Sequence, residues 1–272
     1  DFNELTCPYI PFFKGLVKVC INDSMPTWHR SDSSLMCLPY ITNTYIGMRS
    51  SYELKILSEV MNSREPKALI SGGAKLQKVS DLVKIRETVE IFTGGLPGQL
   101  IARVKGYDLG ELNNNFLKKK FNDKEFEDAK KLASLGVAHP IDFTVLENGE
   151  NKNVSLGEMS KSKGVIKDIG EATLEYYAEK LQEKPVRIRA GPLGVYEEGY
   201  LKGLELTKRI SGEGLIFLGG DTSQEVVDTG LLGHIEDAGG QVCISGGSFL
   251  SGMAGNSFPS IDLLLRLYKL SS

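Results

Sequence analysis

From residue 67 onward, short apolar runs alternate with longer stretches in which apolar positions recur at helical spacing. The runs 67–71 (KALIS), 89–93 (VEIFT), 137–145 (VAHPIDFTV), 186–190 (VRIRA), 214–218 (GLIFL) and 241–245 (QVCIS) read as strands. Leu215-Ile216-Phe217-Leu218 is apolar at every position, the mark of a strand covered on both faces. Between the runs, 98–104, 124–134, 171–183, 200–209 and 223–229 read as helices. The alternation predicts an α/β fold: a doubly wound parallel sheet of about six strands in a Rossmann-like three-layer αβα domain.

Ahead of this region, Leu16–Ile21 reads as a strand that runs into a polar loop around His29 and Arg30. Arg30 suits bidentate recognition of a carboxylate or phosphate, and a plain surface loop is the alternative. Residues 47–63 predict one helix, with Tyr52, Leu54, Leu57, Val60 and Met61 near helical spacing and Pro66 beyond its end. A lone helix between a small fragment and a regular α/β region reads as an interdomain connector.

The glycines punctuate the strands. Gly72-Gly73-Ala74-Lys75, Gly94-Gly95, Gly191-Pro192-Leu193-Gly194, Gly219-Gly220 and Gly246-Gly247 each follow a predicted strand. In a parallel sheet all such turns lie at the carboxyl edge, where open α/β sheets bind ligands. Glycine lets the backbone approach an anion, and a following helix start offers free N–H groups. Asp221, beside Gly219-Gly220 and Thr222, would repel a bare phosphate, so the turn suits a Mg²⁺-nucleotide; a helix-capping Asp on an ordinary turn is the alternative. Lys75 reads as a phosphate contact, against a solvated lysine at a helix start. Neither GxGxxG nor GxxxxGK[ST] occurs.

Composition narrows the class. The 272 residues are 41% apolar and 25% charged, with a formal net charge of −3. That balance excludes a strongly basic nucleic-acid footprint, and in the Lys118–Lys120 and 124–134 region acids offset bases. No apolar run is long enough to span a membrane, and no signal peptide is evident. Cys7, Cys20, Cys37 and Cys243 lack a CxxC pair or zinc-ligand spacing and read as reduced thiols of a cytoplasmic protein. The two N-x-S sequences, at Asn22 and Asn153, would then go unused. The chain opens at Asp1, in a Pro- and Phe-rich segment that reads as the middle of a longer protein.

In order along the chain, several motifs resemble those of phosphoglycerate kinases, particularly archaeal ones. They are Asn22-Asp23 with Thr27, His29-Arg30 and Ser33-Ser34; Gly72-Gly73-Ala74-Lys75; Gly94-Gly95 with Lys105-Gly106-Tyr107-Asp108; Asp168-Ile169-Gly170; Gly191–Glu197; and Gly219-Gly220-Asp221-Thr222. The resemblance runs from about residue 17 to the end. Ala190 replaces the usual Asn, Gln77-Lys78 alters the spacing of a second lysine, and Ser245-Gly246-Gly247-Ser248 loosens a TGGGA motif.

The resemblance implies a monomeric cytoplasmic kinase moving a phosphoryl group between 1,3-bisphosphoglycerate and Mg-ADP, giving 3-phosphoglycerate and ATP. Residues 1–46 would end a truncated phosphoglycerate-binding domain, 47–63 would be the interdomain helix, 64–255 the nucleotide domain, and 256–272 a segment packing back on the first domain. Lys75 and Arg30 would be catalytic, with Arg30 and His29 on phosphoglycerate. Gly73, Lys75, Gly94, Gly95, Glu197, Gly219, Gly220, Asp221 and Thr222 would bind nucleotide, Asp221 on the metal side. Most of the phosphoglycerate motifs lie upstream of this sequence in the family. The alternative function is nucleotide binding without kinase activity; an unrelated sugar-phosphate enzyme fits the ordered motifs poorly.

Overall fold

The structure, a computed structural model, describes residues 10–271. Cys7 lies outside them. The chain divides into two compact units, residues 1–63 with 245–272, and residues 64–244.

In the first unit, β1 (Val19–Asn22) and β2 (Asn43–Ile46) pair in parallel. Asn22 Oδ1 accepts from Trp28 Nε1 at 2.8 Å, which fixes the buried indole. Asp23 Oδ1 accepts from the Ser50 N–H at 2.6 Å and so closes the start of helix Met48–Asn62. Bonds from Ser50 hold the Asp23 carboxyl below its ordinary range. A negative charge there also complements the helix dipole. Asn22-Asp23 therefore builds the scaffold beneath the His29-Arg30 loop.

Helix Gly246–Met253 packs on helix Met48–Asn62, with Gly252 leaving no room for a Cβ against Leu57. Buried Glu53 accepts from the Ser245 N–H at 3.0 Å and pairs with Arg49 at 2.7 Å. These contacts place residues 245–255 with the first unit, so the second ends at Ile244 instead of the expected residue 255.

The second unit holds β3 (Lys67–Ser71), β4 (Val89–Thr93), β5 (Asp142–Glu147), β6 (Glu150–Ser155), β7 (Val165–Ile169), β8 (Val186–Ala190), β9 (Leu215–Leu218) and β10 (Gln241–Cys243). Five of them form a parallel sheet in the order β10-β9-β8-β3-β4. Ala68, Ile70, Phe92, Leu174, Leu204 and Phe217 belong to the core that covers it.

The expected sixth parallel strand, 137–145, does not exist as one element. Pro140 cannot donate to a ladder and interrupts it. Ala138 makes only an isolated bridge to Phe92, and the chain resumes as β5 in a separate antiparallel sheet of order β6-β5-β7. Asp142 of β5 accepts from the N–H groups of Ala172 (3.0 Å) and Thr173 (2.8 Å), capping helix Glu171–Gln182 from a distant strand. That helix sends the Tyr177 hydroxyl to the Thr93 carbonyl at 2.7 Å, at the end of β4.

The thiols also depart from expectation. Cys20 and Cys243 are not in disulfides, whereas Cys37 is disulfide-bonded. Missing zinc spacing excludes a metal site, but a disulfide needs only that two Cα atoms approach in space, which spacing does not report.

Candidate functional site

The strand order fixes where a ligand fits. From β3 the sheet runs one way through β4 and the other way through β8, β9 and β10, so the winding reverses between β3 and β8. Open α/β sheets bind ligands at the carboxyl ends of the strands around such a reversal. The backbones of the turns after these strands are laced together. The Gly72 N–H donates to the Ala190 carbonyl at 2.8 Å, Gly73 N–H to Pro192 at 2.6 Å, and Gly95 N–H to Leu193 at 3.0 Å. Leu96 N–H returns to the Gly73 carbonyl at 3.0 Å. Glycine is required at two of these crossings. Gly191 has φ +96°, and a Cβ there would lie 2.7 Å from Gly73 N. Gly95 has φ +53°, and its Cβ would lie 2.7 Å from the Gly73 oxygen.

Beside these turns lies a cleft of about 710 Å³. Its polar lining includes Gly73, Gly95, Glu197 and Asp221. Its apolar lining includes Leu96, Leu112, Phe116, Phe143 and Val165. The apolar residues come from helix Gly95–Val104, helix Glu111–Lys120 and the antiparallel sheet. The cleft thus combines polar groups suited to a phosphate with apolar surface suited to a flat group.

Four of the expected nucleotide residues, Gly73, Gly95, Glu197 and Asp221, line this one cleft. The others serve its frame. Gly94 donates to the Ser71 carbonyl at 2.9 Å and starts helix Gly95–Val104. Gly219 caps helix Gly220–Asp228, whose first turn carries Asp221 and Gly220. Thr222 is buried, and its hydroxyl accepts from the Gly191 N–H at 2.6 Å while donating to the Leu218 carbonyl at 2.8 Å. The hydroxyl therefore shapes the Gly191 turn. Lys75 is exposed in the loop before helix Val79–Ile85, outside the cleft lining and four residues short of the helix.

His29 and Arg30 belong to the first unit. The His29 ring Nδ1 meets Ser248 Oγ at 2.7 Å, and the His29 N–H reaches the same oxygen at 3.3 Å. Arg30 is exposed.

Two buried charged groups adjoin the glycine turns, Arg189 just ahead of Gly191 and Asp168 against Gly194. Arg189 of β8 is fully buried and grips Glu225 through both carboxylate oxygens at 2.8 and 2.7 Å. Its Nη1 donates to Thr207 Oγ1 at 2.8 Å. Asp168, at the end of β7, lies behind Gly194, which leaves no room for a Cβ. Its carboxylate accepts from the N–H groups of Ile169 (2.8 Å) and Lys202 (2.9 Å). Burial nevertheless pushes the Asp168 carboxyl up to about 7.

The raised value fixes the sign of a pH effect. The folded state holds this proton more tightly than the unfolded chain, so ionising it costs stability as pH rises from about 4 to about 7. Asp168→Asn removes that titration. Between pH 5 and pH 8 the wild type should lose about 2.5 kcal/mol relative to the variant, read from urea unfolding at both pH values. A difference between the two proteins that does not change with pH would contradict this.

Sequence patterns had not indicated the apolar wall, because helix Glu111–Lys120 went unrecognised. Leu112 and Phe116 do stand four residues apart on that helix, but the intervening Asn113-Asn114-Asn115 hides the signal. Arg189 and Glu225 were equally silent, since charged residues are expected at the surface, and Asp168 stood out only as part of a motif.

A family model described as phosphoglycerate kinase matches residues 11–256. The chain belongs to the phosphoglycerate kinase family. It is 32% identical over 254 residues to the phosphoglycerate kinase of Sulfolobus acidocaldarius, covering 90% of this chain and 60% of that one. The Pyrococcus furiosus enzyme is 30% identical over 271 residues, covering 93% and 64%. The crystal structure of the Pyrococcus horikoshii phosphoglycerate kinase superposes with a TM-score of 0.78 at 28% identity, covering 93% of this chain and 65% of that one. A Coxiella burnetii phosphoglycerate kinase shares the fold, with a TM-score of 0.70 at 23% identity. The chain therefore spans about 60–65% of the length of these relatives. Relative to phosphoglycerate kinases, the matched region includes both the cleft and the His29-Arg30 loop. Among the described residues, no helix is long and apolar enough to cross a membrane.

Proposed function

We propose that the cleft of residues 64–244 binds ADP or ATP with Mg²⁺, and that the whole protein transfers the acyl phosphate of 1,3-bisphosphoglycerate to ADP, giving 3-phosphoglycerate and ATP. The observation that carries this reading is the pairing, in one crevice, of laced glycine turns and Asp221 with an apolar wall. A nucleoside diphosphate combines those two characters. In the reaction the bond between the acyl oxygen and phosphorus breaks, and a terminal oxygen of ADP forms the new bond to phosphorus.

The residues present suit Mg²⁺ that arrives with the nucleotide. No group of three or more His, Cys, Asp or Glu side chains could cage a metal among the described residues. Asp221 is a single exposed carboxylate on the cleft lining, and Mg²⁺ takes one or two carboxylates together with phosphate oxygens. The ion supplies positive charge to the phosphate oxygens when bound.

Phosphoryl transfer asks the protein for position and charge more than for a nucleophile. Glu197, exposed in the Tyr196–Glu198 turn on the cleft lining, can accept hydrogen bonds from a ribose. The Gly219 turn and the start of helix Gly220–Asp228 present backbone N–H groups to phosphate. Lys75, on an exposed loop, can meet the transferred group. Arg30, with an exposed guanidinium, suits the anionic phosphoglycerate, while His29 is held by Ser248. The test is titration of Mg-ADP into the chain by calorimetry.

A further inference from the structure

The cleft lining contains one unspent buried amide. Helix Gly95–Val104 places Gln99 on the lining one turn after Leu96. Gln99 is only 6% exposed, yet among the described residues no protein group bonds its side-chain amide. Buried amides are otherwise paired, and this cleft shows the rule at Asn113. Asn113 spends its amide on the Leu109 (2.9 Å) and Gly164 (3.0 Å) carbonyls and accepts from the Ile166 N–H at 3.0 Å. Of the two buried amides on the lining, Gln99 is the one left for a ligand.

Its surroundings state which ligand group fits. Leu96, Leu112, Phe116, Phe143 and Val165 offer apolar surface and no charge. A flat, uncharged heterocycle with a hydrogen-bonding edge satisfies both the walls and the amide. We propose that Gln99 reads the substituent at position 6 of a purine base, its amide oxygen accepting from an exocyclic amine and its N–H donating to the neighbouring ring nitrogen. A carboxamide and adenine match as donor–acceptor pairs in this way. The assignment rests on the nucleotide reading of the cleft and adds the residue that sets base preference.

Two ligands and two variants test it by calorimetry on the whole chain with Mg²⁺ present. ADP carries the 6-amino group, and purine riboside diphosphate lacks it. Wild type should bind ADP about tenfold more tightly than the analogue, within the range of one bidentate amide–base pair. Gln99→Met, of similar volume, removes both bonds to ADP but only the ring-nitrogen bond to the analogue, so it should weaken ADP about tenfold more than the analogue and bring the ratio to about one. Gln99→Leu removes the same two groups, should lower the ratio likewise, and keeps the test available if the Met variant does not fold. A tenfold ratio that survives either substitution, or an equal loss for both ligands, would overturn the assignment and leave Gln99 a packing residue. Failure of wild type to bind either diphosphate would overturn the nucleotide reading itself, and the inference with it.

Discussion

Arg189→Met is expected to lower the unfolding free energy by about 3–5 kcal/mol, the scale of breaking a buried ion pair and stranding its partner. The arginine is sealed from solvent, as is Glu225, and the two meet through paired bonds of 2.8 and 2.7 Å. Its remaining contacts are Thr207 Oγ1 and the Phe217 ring, 5.7 Å from guanidinium carbon to centroid. Removing the cation leaves the Glu225 carboxylate buried and uncompensated. Replacing both by apolar residues removes the cause, so Arg189→Met with Glu225→Met should cost clearly less than the two single losses added. The pair also matters for the site. Glu225 lies on helix Gly220–Asp228, whose first turn carries Asp221, and Arg189 is the last residue but one of β8, ahead of the Gly191 turn. Urea unfolding of the singles and the double decides this. A single-variant loss below about 1 kcal/mol would mean the pair is solvated, against its burial.

In the full-length protein, Lys75→Ala is expected to lower kcat by about 10²–10³, the scale lost with one preorganised electrostatic donor. Nucleotide affinity should change less. The lysine stands outside the cleft lining, on the loop that leaves Gly72-Gly73, so it is placed for a group at the cleft's rim more than for the bound base or ribose. A contact made mainly with charge that shifts during transfer acts on kcat, whereas equal binding of ground and transition states acts on KM. Asp221→Asn should behave differently, raising the Mg²⁺ concentration needed for half-maximal rate. Kinetics of both variants across a Mg²⁺ series separates the two roles. An unchanged kcat in Lys75→Ala would make the lysine a solvated loop residue.

The parallel sheet was legible because its strands are covered on both faces and end in glycine. Lys67–Ser71, Val89–Thr93 and Val186–Ala190 occur at the expected bounds, and the expected glycines do lie at their carboxyl ends. The antiparallel sheet was not legible by the same rule. Its strand Glu150–Ser155 is polar and almost wholly exposed, with no apolar alternation to detect. Yet a turn signal was present. Asn148 and Gly149 join β5 to β6, both at positive φ (54° and 83°), the geometry of a two-residue hairpin. The motif Asn22-Asp23 was legible as a motif but not as a device, since its hydrogen bonds to Trp28 and Ser50 reach across the fold. Likewise Thr222 reads as a phosphate contact in sequence, and its hydroxyl in the structure closes the Gly191 turn.

The most direct test of the central claim, that the cleft beside the glycine turns after β3 and β8 is a Mg-nucleotide site, is calorimetric titration of Mg-ADP into the chain. The account predicts saturable single-site binding that weakens when Mg²⁺ is chelated and weakens further in Asp221→Lys, which places a cation where the metal side is assigned. A chain that unfolds cooperatively on heating, and is therefore folded, yet takes up no Mg-ADP would contradict it.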